Sequence, residues 1–77
     1  MDLDHEDPRA YMHLAHRLRR QVLDGTLAPG SPVPSITTLS KQYGHARQTC
    51  SKAMRLLVDE GLLFRVPGLG YYVAKDA

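Results

Sequence analysis

The chain has 77 residues, 43% of them hydrophobic and 23% charged, with a formal net charge of +2. A single domain of that size hides only ~60% of the surface its unfolded form exposes, which leaves little room for a catalytic cleft and its supporting shell, and with no nucleophile–base pair standing out an enzyme is the least expected class. No apolar run approaches the ~18 residues of a membrane-spanning helix, the acidic start is the opposite of a signal peptide, and the single cysteine, Cys50, excludes an internal disulfide, so a cytoplasmic protein without a cofactor is expected.

The chain opens on an acidic head: Asp2, Asp4, Glu6 and Asp7 are four of the eight acidic residues. Residues 1–7 are expected to form a solvated, disordered tail, and residues 8–77 the folded domain. That domain carries ten Lys and Arg against four acids, a formal +6. A compact basic body attracts polyanions, of which nucleic acid is the commonest.

Asp7 is placed to cap a first helix, with Pro8 in its first turn. Tyr11, Leu14, Ala15, Leu18 and Val22 recur at helical spacing, while His13, His16, Arg17 and Arg20 fall on the other side. The helix is expected to stop at Asp24-Gly25, with Gly25 left-handed. Residues 26–34 hold Pro29, Gly30, Pro32 and Pro34 and read as a loop. Ser35 then caps a short second helix whose inner side carries Ile36, Leu39 and Ser40 and which ends near Tyr43-Gly44. A third helix begins near Ala46 or Arg47, shows an apolar stripe of Cys50, Ala53, Met54, Leu57 and Val58, and closes at Glu60-Gly61. Two helices joined by a tight glycine-containing turn form a helix-turn-helix pattern.

The period then changes. Leu62-Leu63-Phe64-Arg65-Val66 and Tyr71-Tyr72-Val73-Ala74 read as strands, and Pro67-Gly68-Leu69-Gly70 as the turn between them. The expected fold is mostly α with a small β-hairpin: three helices and a two-stranded wing, a winged helix-turn-helix.

Across residues 9–74 the sequence resembles the N-terminal DNA-binding domain of GntR-type bacterial transcription regulators. The pieces that carry the likeness are Tyr11, Leu18-Arg19, Gly25-Thr26-Leu27-Ala28-Pro29-Gly30, Val33-Pro34-Ser35, Leu39, Tyr43-Gly44, Arg47, Thr49, Glu60-Gly61-Leu62-Leu63 and Gly68-Leu69-Gly70-Tyr71-Tyr72-Val73. The resemblance implies a sequence-specific regulator bound to an inverted-repeat operator in double-stranded DNA, associated with the bacterial nucleoid. It also implies a buried Tyr72, with Tyr71 turned to solvent or DNA. In the family a C-terminal domain binds an effector or supplies dimer contacts; no small-molecule effector is evident in this chain. Where the second helix of the family usually reads Ser-Glu-Arg, this chain has Ser35-Ile36-Thr37. Ser51 replaces a frequent second arginine on the third helix, and His45-Ala46 replaces an apolar residue followed by serine, which removes a helix cap worth ~1 kcal/mol.

The physics of the residues points the same way. A helix fits the major groove with its first turn against the base edges, and Arg47 stands where a guanidinium can reach guanine O6 and N7; the resemblance puts a DNA-contacting arginine at the same position. Ser35 and Thr49 are hydroxyls at helix starts, suited to phosphate or simply to capping. Lys41, Lys52 and Arg55 read equally as phosphate contacts or solvated charges, and Gln48 as an adenine reader or a neutral surface residue. Arg65 stands beside Gly68 and Gly70, small residues that let the backbone approach the minor groove, as the resemblance implies for the wing, or that serve the turn geometry alone. The expected DNA-contacting set is thus Ser35, Thr37, Lys41, His45, Arg47, Gln48, Thr49, Ser51, Lys52, Arg65, Gly68 and Gly70.

His13 and His16 are three apart, yet zinc wants at least three protein ligands at suitable spacing; the histidines read as exposed helix residues, and no metal site is assigned. Cys50 reads as a small buried hydrophobe. The alternatives are a winged helix turned into a protein-interaction module, for which Leu56 and Leu69 would be the exposed apolar residues, and the DNA-binding fragment of a longer effector-gated regulator. A weak homodimer formed only on DNA is expected, through Met12, Leu23 and Leu56.

Overall fold

A computed structural model of the protein describes residues 7–76; most of the acidic head, and with it the expectation of a separate tail, lies outside the described residues. Three helices, α1 (Ala10–Leu23), α2 (Ile36–Tyr43) and α3 (Arg47–Asp59), precede two strands, β1 (Leu63–Val66) and β2 (Gly70–Val73).

The first helix starts slightly later than its sequence suggests. Asp7 caps a lead-in turn instead: its carboxylate accepts from the Arg9 amide at 2.8 Å, and its carbonyl accepts from the Ala10 amide at 2.8 Å. The other boundaries follow local chemistry. Ser35 Oγ accepts from the Thr38 amide at 3.1 Å, capping α2. Gly44 ends α2 at φ +71°, a conformation that a side chain would strain. The turn to α3 is only Gly44-His45-Ala46, tied by the Ser40 hydroxyl donating to the His45 carbonyl at 2.6 Å. Ala46 gives α3 no side-chain cap, and its methyl is buried.

The core is built around α3, whose Cys50, Ala53, Met54 and Leu57 are completely buried. Leu14, Ala15, Leu18 and Val22 of α1 pack on them, with Leu39 of α2 and Val33 of the intervening loop. No buried charged or polar side chain occurs among the described residues, so the fold rests on apolar burial.

The strands pair antiparallel in the register Leu63↔Val73, Phe64↔Tyr72, Arg65↔Tyr71, Val66↔Gly70. Leu69 donates to the Val66 carbonyl at 2.9 Å across the tip; with Pro67 and then Gly68 at φ +82°, the turn has the type II pattern. The proline-rich loop is more ordered than its composition implies. Gly30 and Val33 donate to the carbonyls of Val73 and Tyr71, and Val73 donates to Ser31, each at 2.9 Å. Pro32 bridges Tyr72, so the loop covers the free edge of β2.

This pairing corrects the expected role of Tyr72 and adds a core contact to that of Tyr71. Leu63 and Val73 face inward, and alternation puts Tyr71 on their side of the hairpin. Tyr71 packs against the core, whereas Tyr72 turns outward and stacks on Phe64 with ring centroids 5.9 Å apart. Leu56, expected to be exposed, is half-buried and packs on the core.

A bidentate ion pair fastens the end of α3 to α1: Arg19 Nε and Nη2 donate to Glu60 Oε1 and Oε2 at 2.8 and 2.6 Å. The Arg19 guanidinium holds the Glu60 carboxyl below the ordinary glutamate range. A depressed folded value stabilises the fold at neutral pH, and that stabilisation is lost as pH falls through it. Glu60→Gln is therefore expected to lower stability at pH 7 by no more than ~1 kcal/mol, given the pair's partial exposure. The gap should close as pH falls through the range in which the folded-state carboxyl protonates, as read by urea denaturation at pH 7 and in acid. A gap that persists in acid would show that the glutamate acts through packing and not through charge.

Candidate nucleic-acid interface

A cleft of about 750 Å³ opens between the start of α2, the outward side of α3 and the wing, lined by Ser35, Ile36, Thr37, Ser51, Arg55, Arg65, Val66, Gly68, Gly70 and Tyr71. Six of the twelve residues expected to contact DNA thus meet in one place, although Ser35 and Gly70 are far apart in the chain. The lining holds two arginines and no acid, so the cleft attracts an anion. Gly70 has φ +109°, which lets the strand turn away from the tip without a side chain in the way.

Arg47 stands at the first position of α3, exposed, and its Nη2 donates to Thr37 Oγ1 at 2.7 Å. That bond joins the first turns of α2 and α3 at the edge of the cleft. Gln48 is exposed in the same first turn of α3, and Thr49 is half-buried. Lys41 is exposed one helical turn beyond Thr37 on α2. His45 is half-buried in the turn itself. Lys52, exposed on α3, does not line the cleft; its ammonium lies 5.0 Å from the centre of the Tyr11 ring. The Ser35 hydroxyl donates to Thr38 Oγ1 at 3.0 Å while accepting from the Thr38 amide, so its capping role is evident in the structure itself.

Arg55 is the residue that the sequence underrates. It lines both this cleft and a smaller adjoining depression of about 230 Å³ with Val58, Asp59, Arg65 and Tyr71. The usable signal was its spacing, one turn after Ser51 on the outward face of α3. Tyr71 also lines the cleft while touching the core, a double role that strand alternation alone does not reveal.

Three helices with a three-residue turn before the last, followed by an antiparallel hairpin whose tip shares a basic cleft with that helix, define a winged helix-turn-helix. The family of bacterial regulatory proteins named gntR matches residues 10–73, and the chain belongs to it. It is 36% identical over 76 residues to the HTH-type transcriptional repressor NagR of Bacillus subtilis, covering 97% of this chain and 31% of that protein. It is 35% identical over 66 residues to the mannosyl-D-glycerate transport/metabolism system repressor MngR of Escherichia coli, covering 86% of this chain and 28% of the relative. The chain therefore spans about a third of the length of these relatives. Among solved structures, the AraR DNA-binding domain in complex with operator ORR3 superposes with a TM-score of 0.81 at 32% identity, over 84% of this chain and 78% of that one.

Proposed function

We propose that this chain is the operator-reading domain of a bacterial transcriptional regulator, acting on the chromosome in the cytoplasm, with α3 in the major groove and the wing toward the minor groove. The observation that carries the reading is the acid-free cleft where the start of α2, the outward side of α3 and the glycine-rich wing converge with Arg55 and Arg65. Two features support it: a solved relative of the same fold is held on operator DNA, and two curated relatives are named as repressors. Phosphate contacts from Ser35, Thr49, Lys41, Lys52, Arg55 and Arg65 fix the register, and base contacts from Arg47 and Gln48 give the sequence preference. A single domain of this size covers one half-site of an inverted repeat. Exposed Met12 and Leu23 sit three turns apart on one side of α1, where a second copy on the adjacent half-site makes weak contact.

Selection of bound fragments from random duplex DNA tests the reading and supplies the operator. On that operator Arg47→Ala should remove ~1–3 kcal/mol of discrimination against random DNA, the worth of a bidentate guanine contact. Lys41→Ala should weaken both duplexes alike. Equal behaviour of the two substitutions would demote Arg47 to a phosphate contact, and failure to enrich any sequence would sink the operator-reading assignment.

A further inference from the structure

The bond between Thr37 and Arg47 assigns one of these residues a role of its own. Arginine carries five N–H donors in a planar fork, and Thr37 Oγ1 takes one hydrogen of Nη2 at 2.7 Å. The remaining four donors are enough for a bidentate contact with a guanine edge. A hydroxyl that accepts through its oxygen keeps its own hydrogen to donate, and Thr37 is exposed and lines the basic cleft. Free arginine side chains lose substantial rotamer entropy when a contact fixes them; one already held by a neighbour loses less on binding.

We infer that Thr37 is a specificity-determining positioning residue: its hydroxyl holds the Arg47 guanidinium in the orientation that reads a guanine, and donates its own hydrogen to the DNA backbone beside that base. The inference rests on the proposed function of the cleft. It makes two sites of contact one unit, so that phosphate registration on α2 aligns base reading on α3. The bond also crosses the helix-turn-helix from one first turn to the other, which ties the guanidinium to the scaffold and not only to its own flexible stem.

The test uses the whole chain, the selected operator and a set of duplexes in which each G·C pair of the half-site is replaced in turn, with affinity read by fluorescence anisotropy. Thr37→Val keeps the shape and removes the acceptor; Thr37→Ser keeps the hydroxyl. Discrimination at the base pair lost in Arg47→Ala is expected to drop on the order of tenfold in Thr37→Val, to be retained in Thr37→Ser, and to fall no further when Thr37→Val is added to Arg47→Ala. Affinity for random DNA should change less than discrimination does. Unchanged discrimination in Thr37→Val, or additive losses in the double variant, overturns the coupling while leaving Arg47 as base reader. Arg47→Ala with full discrimination overturns the base-reading assignment itself, and Thr37 with it. Circular dichroism melting of each variant separates these outcomes from misfolding, because both residues are exposed and neither supports the core.

Discussion

Affinity for duplex DNA is expected to fall on the order of a hundredfold as monovalent salt rises from about 50 to about 200 mM, because about four phosphates neutralised at ~0.9 counterions each give a log–log slope of about −3.6. The contacts follow from the structure. Arg55 and Arg65 line the cleft, Lys41 stands exposed on α2, and Lys52 is exposed on α3 beside the Tyr11 ring. The start of α2 adds backbone amides that face an anion without any side-chain charge. Anisotropy titrations across the salt range give the slope directly. Lys52→Ala should reduce it by about one and leave the preferred sequence unchanged, as expected of a purely electrostatic contact. A slope flatter than about −2 would leave room for no more than two phosphate contacts and would favour a protein-binding role for the domain.

Much of this was legible in the sequence because local chemistry decided it. Ser35 and Gly44 bracket α2 by capping and by left-handed backbone, and the stripe from Cys50 to Leu57 fixed which side of α3 turns inward. The features that escaped are those set by long-range pairing. Alternation in Tyr71-Tyr72-Val73 offers two faces, and only the register with Leu63 shows that Tyr71 belongs with the core. The proline loop showed turn-forming residues but not the edge of β2 on which it rests. Arg19 and Glu60 are 41 positions apart, beyond the reach of any helical or strand period. The same is true of the candidate site: hydroxyls and arginines were identifiable by residue type, whereas the bond between Arg47 and Thr37 needed the angle between two helices.

The cation–π contacts show how surface charge is kept ordered on so small a body. The Arg17 guanidinium lies 4.8 Å from the centre of the Tyr43 ring, and Lys52 sits at 5.0 Å from that of Tyr11. Each joins α1 to one helix of the helix-turn-helix pair, and contacts of this kind contribute about 0.5–1 kcal/mol at exposed sites. Their larger effect is on shape: α1 buttresses the last turn of α2 and the middle of α3, so the two helices that face the cleft share one rigid support.

Leu57→Ala should be the most damaging single substitution in the chain for stability. Leu57 is completely buried, in the one core cluster that also holds the apolar stripe of α1 and Leu63 and Val73 of the wing. Truncating such a leucine removes its transfer free energy and leaves a cavity, together about 2–5 kcal/mol. A domain of this length has a total stability near the lower end of the 5–15 kcal/mol range, so the variant should lose a large share of the parent's stability. At ~4–8 °C per kcal/mol for a domain of this size, the melting temperature should fall by at least ~8 °C. Met54→Leu conserves volume and should cost less than ~1.5 kcal/mol at an equally buried position. Leu69→Ala, at a wing-tip residue that is 71% exposed, should stay within ~0.5 kcal/mol of the parent. Thermal melts of the three variants test the ordering. If Leu57→Ala melts within a few degrees of Leu69→Ala, then α3 is not the centre of the core, and the support proposed for the DNA-reading face fails with it.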